Sequence, residues 1–174
     1  MTDYPWYTIA GTTDGLNQGD FVFSCPILEP IHDLETEKIK ANYSEYDVII
    51  MSQTCDLVTH KLDIVLVCPF WQLSTIEAKN PWFQSSKNKE KLRRGDQPGY
   101  HLLNHPEIEG FESDFLVVDF RNVYGVPYNY LESYSTRAEK RLRLLPPYKE
   151  HLSQAFARFF MRVGLPIDID PFVP

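Results

Sequence analysis

Three apolar runs of strand length govern what this chain can fold into: FVFSCPIL (21–28), YDVIIMSQ (46–53) and DIVLVCPF (63–70). Short apolar runs rich in branched and aromatic residues, bounded by turn signals, predict buried strands rather than helices. The turn-rich stretch GTTDGLNQGD delivers the chain into the first run through Gly19-Asp20, and Pro26 either stops that run or marks a bulge. The second and third runs are joined only by CDLVTHKLD, so they are predicted to pair as a hairpin. Residues 33–45 are polar and read as a loop or a short helix.

Residues 71–97 change character. They are charged, helix-tolerant and cut by Pro81, which predicts two short helices or a helix and an excursion across one face. GYHLLN (99–104) and SDFLVVDF (113–120) are the next strand candidates. NVYGVP and KRLRLL are candidate edge strands, the latter equally compatible with helix. In PPYKEHLSQAFARFFMRVGLP, Leu152, Phe156, Phe159, Phe160 and Val163 follow helical spacing, with Lys149, Glu150, Gln154, Arg158 and Arg162 mostly opposite. Pro146 and Pro147 suit its first turn, Gly164 its stop, and Pro166 forbids continuation. The expected fold is a single domain over residues 1–174, α+β and mostly β. It is a small curved antiparallel sheet or partly open barrel (19–145) with the helical excursion at 71–97. The amphipathic helix 146–164 is packed over it.

At 174 residues the chain is long enough for a core without disulfide staples. Its net charge of −7 is uneven: residues 1–80 hold 4 Lys/Arg against 12 Asp/Glu, and residues 81–174 hold 13 against 12. Such a chain is a poor general binder of polyanions, although SKNKEKLRR (86–94) and RAEKRLR (137–143) are local basic clusters. No apolar run approaches the ~20 residues of a membrane span. MTDYPWYTIAG lacks the pattern of a secretory signal. Three cysteines without a CxxC pair make no disulfide framework, so a reducing cytoplasm is expected. Their spacings of 30 and 13 residues lack a zinc knuckle, and neither a metal nor another cofactor is expected.

In order, GDFVFSCPIL, YDVIIMSQ, DIVLVCPF, FLVVDFRNVYGVP and the late helix resemble the MazF/PemK family over residues 19–131. The resemblance implies an SH3-like small barrel, a possible homodimer, and a prokaryotic toxin–antitoxin, phage-defence or mobile-element setting. Family members are mainly endoribonucleases acting on single-stranded RNA, with an Arg just before the second strand and a Thr or Ser just after the third. Here no Arg or Lys lies between Lys40 and Ile49. Pro69-Phe70-Trp71 stand where the hydroxyl belongs, with Ser74 and Thr75 further on. Such a nuclease needs a cation on the phosphorane and a group to manage the 2′-hydroxyl proton. The resemblance therefore implies the fold without the nuclease.

Strand parity puts Cys25 on a face with Phe21 and Phe23, and Cys68 on a face with Ile64 and Leu66, both as buried small hydrophobes. Cys55 falls past its strand and has three readings. It is a nucleophile activated by His60 or His101, although Asp56 opposes a thiolate. Or it belongs to a turn in which the Asp56 carboxylate accepts backbone N–H groups and Gln53 satisfies a strand end. Or Gln53, Cys55 and Asp56 line a mouth that reads a ligand. Asp119 and Arg121 are expected to pair at the sheet rim as a surface ion pair, with Arg121 as a candidate anion contact at the same mouth. Trp71, Trp82 and Phe83 are the candidate contact patch, or else they cover the core. The expectation is a non-catalytic binding or regulatory module, its partner a protein first and single-stranded RNA second. The alternatives are a diverged endoribonuclease using Arg121, His101 and Arg93 or Arg94, and a Cys55-dependent hydrolase.

Overall fold

The structure is a computed structural model, and it describes residues 4–33 and 37–161. The three apolar runs become β2 (Phe21–Asp33), β3 (Lys38–Ile50) and β4 (Ile64–Gln72), after a short first strand β1 (Tyr7–Gly11). β2 pairs β3, and β3 pairs β4 through Val48–Ile50 against Val67–Pro69, all antiparallel. A short helix α1 (Thr54–Val58) fills the β3–β4 connection. On its other side β4 forks. Ile64–Val67 pair with β7 (Tyr124–Pro127), whereas Phe70–Gln72 pair with β6 (Leu116–Asp119), which pairs with β5 (Tyr100–Leu103). The result is a six-stranded antiparallel sheet that is not closed into a barrel. The chain is α+β and mostly strand.

Over Val67–Phe70 β4 is buried on consecutive residues because both its faces are covered there, whereas Ile64 and Leu66, expected on a buried face with Cys68, are exposed. Cys68 and Phe70 join Phe21, Ile49, Val118, Phe120, Leu142, Leu144 and Leu152 in one core. Val65 and Val67 join Val22, Cys25, Ile27, Val48, Ile50, Val126 and Leu131 in another. Cys25 therefore does not share a face with Phe21. The β2–β3 register slips between Val22 and Cys25, where Ser24 sits at φ 48°, and the extra residue reverses the parity. Phe23 lies at that bulge and is substantially exposed.

Of residues 33–45, expected as loop or short helix, Asp33 instead continues β2 and Lys38–Glu45 belong to β3. Beyond Tyr46 the β2–β3 pair runs on as a two-stranded arm, with Asp33 paired to Lys38. Among the described residues neither strand pairs with a third there, and without a continuous apolar run the arm's sequence looks like loop.

The excursion is α2 (Leu73–Lys79), a 3₁₀ turn (Pro81–Gln84) and α3 (Ser86–Arg94). It seats Phe83 and Leu92 on Tyr100 and Val117 as a third core. β7 runs directly into α4 (Tyr128–Ser135), a helix with no sequence expectation attached. KRLRLL resolves as a strand, β8 (Lys140–Leu144), paired antiparallel with β1 in a separate two-stranded sheet. The closing helix α5 (Tyr148–Phe160) buries Leu152 and packs Phe156 and Phe159 on Phe120 at 5.4 and 6.4 Å. Phe160, expected in its apolar face, is exposed, and Arg162, Val163, Gly164 and Pro166 lie outside the described residues. Among the described residues no helix is long and apolar enough to cross a membrane.

Gly19-Asp20 is the corner that ties the two sheets together. Gly19 donates to Ile50 O and accepts from Leu144 N, both at 2.9 Å, and a Cβ there would meet Leu144 Cβ at 3.0 Å with φ at +84°. The fully buried Asp20 accepts from the Arg143 guanidinium (2.9 Å to Nη2) and from Asn17 N (3.1 Å), with Arg141 Nε 3.5 Å away. Removing one member of such a buried pair costs about 3–5 kcal/mol, because the remaining charge is stranded.

Candidate functional site

The stretch MSQTCDL ends β3 and opens α1. Its first residues are held by the 17–20 corner and by β4. Gln18 Nε2 donates to Met51 O (2.8 Å), Gln18 N donates to Thr54 Oγ1 (3.2 Å), and Leu66 N donates to Ser52 Oγ (2.9 Å). Gln53 is exposed, and its amide donates to Ser153 Oγ on α5 at 3.1 Å. Its carbonyl accepts from Asp56 N and Leu57 N, starting α1. The stretch therefore works as a hydrogen-bonded joint between β3, β4 and α5.

Cys55 stands exposed on α1. Among the described residues nothing hydrogen-bonds its thiol, and no hydrogen bond or ion pair joins Cys55 or Asp56 to His60, His101 or Arg121. No side chain caps α1, so the Asp56 carboxylate does not take the capping role expected of it. His60, at φ 50°, lays its ring edge-on to Tyr128 at 5.0 Å. A thiol nucleophile needs an imidazole or cation beside it. None is there. The other two thiols are buried as expected, and burial pushes Cys25 up to about 11 and Cys68 up to about 12.

Asp119 and Arg121 do pair, but not as a surface ion pair. Asp119 is buried and accepts four hydrogen bonds. Three come from Arg121, through its backbone N (2.9 Å), Nε (2.8 Å) and Nη2 (2.7 Å), and one from Asn122 Nδ2 (3.0 Å). The guanidinium also lies 4.3 Å over the Tyr100 ring. One edge and one face of Arg121 are thus committed, which leaves it a clasp for a buried carboxylate rather than an open anion hook.

His101 lies on β5, stacked on Phe120 at 6.1 Å. Burial first, then the nearby His151, lower its pKa to about 4, so the ring is neutral at pH 7. With Arg93, Arg94, His151 and Arg158 it lines a groove between α3, β5 and α5. The sequence candidates His101, Arg93 and Arg94 therefore converge, and Arg121 and Cys55 stay outside.

The expected contact patch is not a patch. Phe83 is wholly buried, and Trp82 is half-buried, edge-on to Phe83 at 4.9 Å. Trp71 is half-buried on β4. Several exposed apolar side chains lie instead on the arm and on α4, namely Leu28 (70 % exposed), Ile39 (79 %), Tyr43 (59 %), Ile31 and Tyr130, while others such as Val58, Ile64, Leu66 and Phe160 are spread over α1, β4 and α5. Leu28, Tyr43 and Tyr130 border an apolar groove of about 560 Å³, completed by Pro26, Ile27 and Val123–Pro127. Its walls are β2 and β7, the outer strands of the path β2-β3-β4-β7. Sequence reasoning missed it, although ILEPI continues past Pro26 with three apolar residues that no turn required.

Comparison with family models, with curated proteins and with solved structures returns no match.

Proposed function

We propose that this chain is a non-catalytic binding module whose partner is a protein, docked by an apolar segment flanked with Lys or Arg in the β2–β7 groove. The carrying observation is the cluster of Leu28, Tyr43 and Tyr130 around that groove, beside Leu28's exposed neighbours on the arm. Exposed apolar patches of this kind mark interaction sites. Charge complementarity selects the flanks. Glu29, which accepts from the hydroxyls of Ser44 (3.4 Å) and Tyr46 (2.9 Å), and Glu45, which accepts from Tyr43 (2.6 Å), sit at the rim. The chemistry argues against catalysis by Cys55, whose thiol is hydrogen-bonded to no base among the described residues.

A partner strand added to β2 fits less well, because Pro26, Pro30 and the bulge at Ser24 all disfavour edge pairing. The MazF/PemK resemblance supports the same reading. The curved path β2-β3-β4-β7 is the part that would correspond to the small barrel, and the residues of the nuclease pair are not in their places.

Affinity selection from a random peptide library tests the proposal. Wild type should enrich apolar peptides carrying Lys or Arg, and Leu28→Asp/Tyr43→Ala should retain at least tenfold less of them. Equal enrichment by both proteins would overturn it. So would concentration-dependent dimers in light scattering that the double variant abolishes, since the groove would then hold a second copy of the chain.

A further inference from the structure

The groove between the last turn of α3, β5 and α5 has a volume of about 440 Å³. Among the described residues three arginines and two histidines line it and no carboxylate does, in a chain with net charge −7. Arg93 and Arg94 both lean on Glu90, at 2.7 and 2.6 Å. Three guanidiniums against that one carboxylate leave two positive charges. The other polar groups are unspent. Among the described residues no hydrogen bond or ion pair reaches the Arg158 guanidinium, and no hydrogen bond reaches the His101 or His151 ring. Both rings keep a nitrogen free to donate to a ligand in the groove.

We propose that this groove binds a dianionic oxyanion of the phosphate-monoester class. Arg158 and the α3 arginines supply the charge, and His151 and His101 supply ring N–H donors. Guanidinium forks match the tetrahedral oxyanion through paired N–H···O bonds. A monoanion would leave one positive charge unmatched, and an apolar ligand would leave the imidazoles unpaired. The site stands apart from the apolar groove and does not depend on what docks there.

Calorimetric titration with inorganic phosphate, at constant ionic strength against chloride, tests the assignment. Phosphate should bind saturably with one site, and Arg158→Ala and His151→Ala should each weaken it at least tenfold with unchanged circular dichroism. Both side chains are exposed, so neither substitution threatens the fold. A parallel titration with AMP, controlled by adenosine, distinguishes the sources. AMP binding at least tenfold tighter than phosphate supports an esterified ligand, and equal binding supports the free anion. Heat that is the same for phosphate and chloride, or Arg158→Ala binding as wild type does, overturns the proposal.

Discussion

The helical excursion and the β2–β3 arm both carry large apolar side chains, and they dispose of them in opposite ways. The excursion folds back over β5 and β6, and Phe83 and Leu92 become the third core. The arm leaves the sheet at Tyr46 and, among the described residues, no second layer covers its outer length, so Leu28 and Ile39 stay exposed. Residue type is the same in both places. What differs is whether a second layer exists to receive the side chain. An aromatic or aliphatic residue thus reports on stability in one region and on association in the other.

Substitution separates these two uses, and the largest effect belongs to the excursion. Phe83→Ala should cost about 3–5 kcal/mol, because it empties a wholly buried site between Leu92, Tyr100 and Val117. Denaturant unfolding measures it, and a loss below ~1 kcal/mol would mean that the excursion does not seal a core. The next effect lies in the β5 strand beneath it. An unfolded histidine takes a proton near 6.5, whereas folded His101 resists until about 4. Between those values the unfolded chain holds more protons, so stability falls as pH drops from 6.5 toward 4. That single group contributes at most about 1.4 kcal/mol per pH unit. His101→Leu should flatten this part of the profile relative to wild type, and superimposable slopes would show a solvated ring. The smallest effect belongs to the arm. Leu28→Ser and Ile39→Ser should each change stability by no more than about 0.5 kcal/mol. A larger loss in unfolding curves would show that the arm is packed and would erase the contrast. Thiol labelling adds a check independent of both regions. Native protein should take one alkylating group, at Cys55, with Cys25 and Cys68 modified only after unfolding.

Where a strand is covered on both faces, its residues announce it. β4 and the inner half of β3 are readable as unbroken apolar runs, and α5 as a 3/4 pattern with prolines at its start. The arm was not read, although Ile39, Ala41 and Tyr43 alternate with polar residues in KIKANYS, because it holds no continuous apolar run and its Lys, Asn and Ser content looks like loop. α4 hid because it begins on the residue after β7 ends, without a turn between them. The parity of Cys25 failed on one bulged residue, which moves every side chain after it to the other face. At the candidate sites, the union of Asp119 with Arg121 follows from two residues of separation. The convergence of Arg93 and His101, on consecutive elements, with Arg158 on the closing helix joins segments far apart in sequence, and only the tertiary fold brings them together.

The pairing of β1 with β8 sets a timetable. Tyr7 meets Leu144 across the small sheet, and the Arg143 that closes on Asp20 belongs to the same late strand. At ~5–20 residues per second, β1 leaves the ribosome of order ten seconds before its partner exists. Through that interval Tyr7, Ile9 and Ala10 have no strand to lie against, and Asp20 has no counterion. The earliest strand made is therefore among the last to be secured, and contacts of such long sequence separation are the slow ones to form. Newly made chains should be most vulnerable to proteases and to self-association during that wait, before any property of the finished surface comes into play.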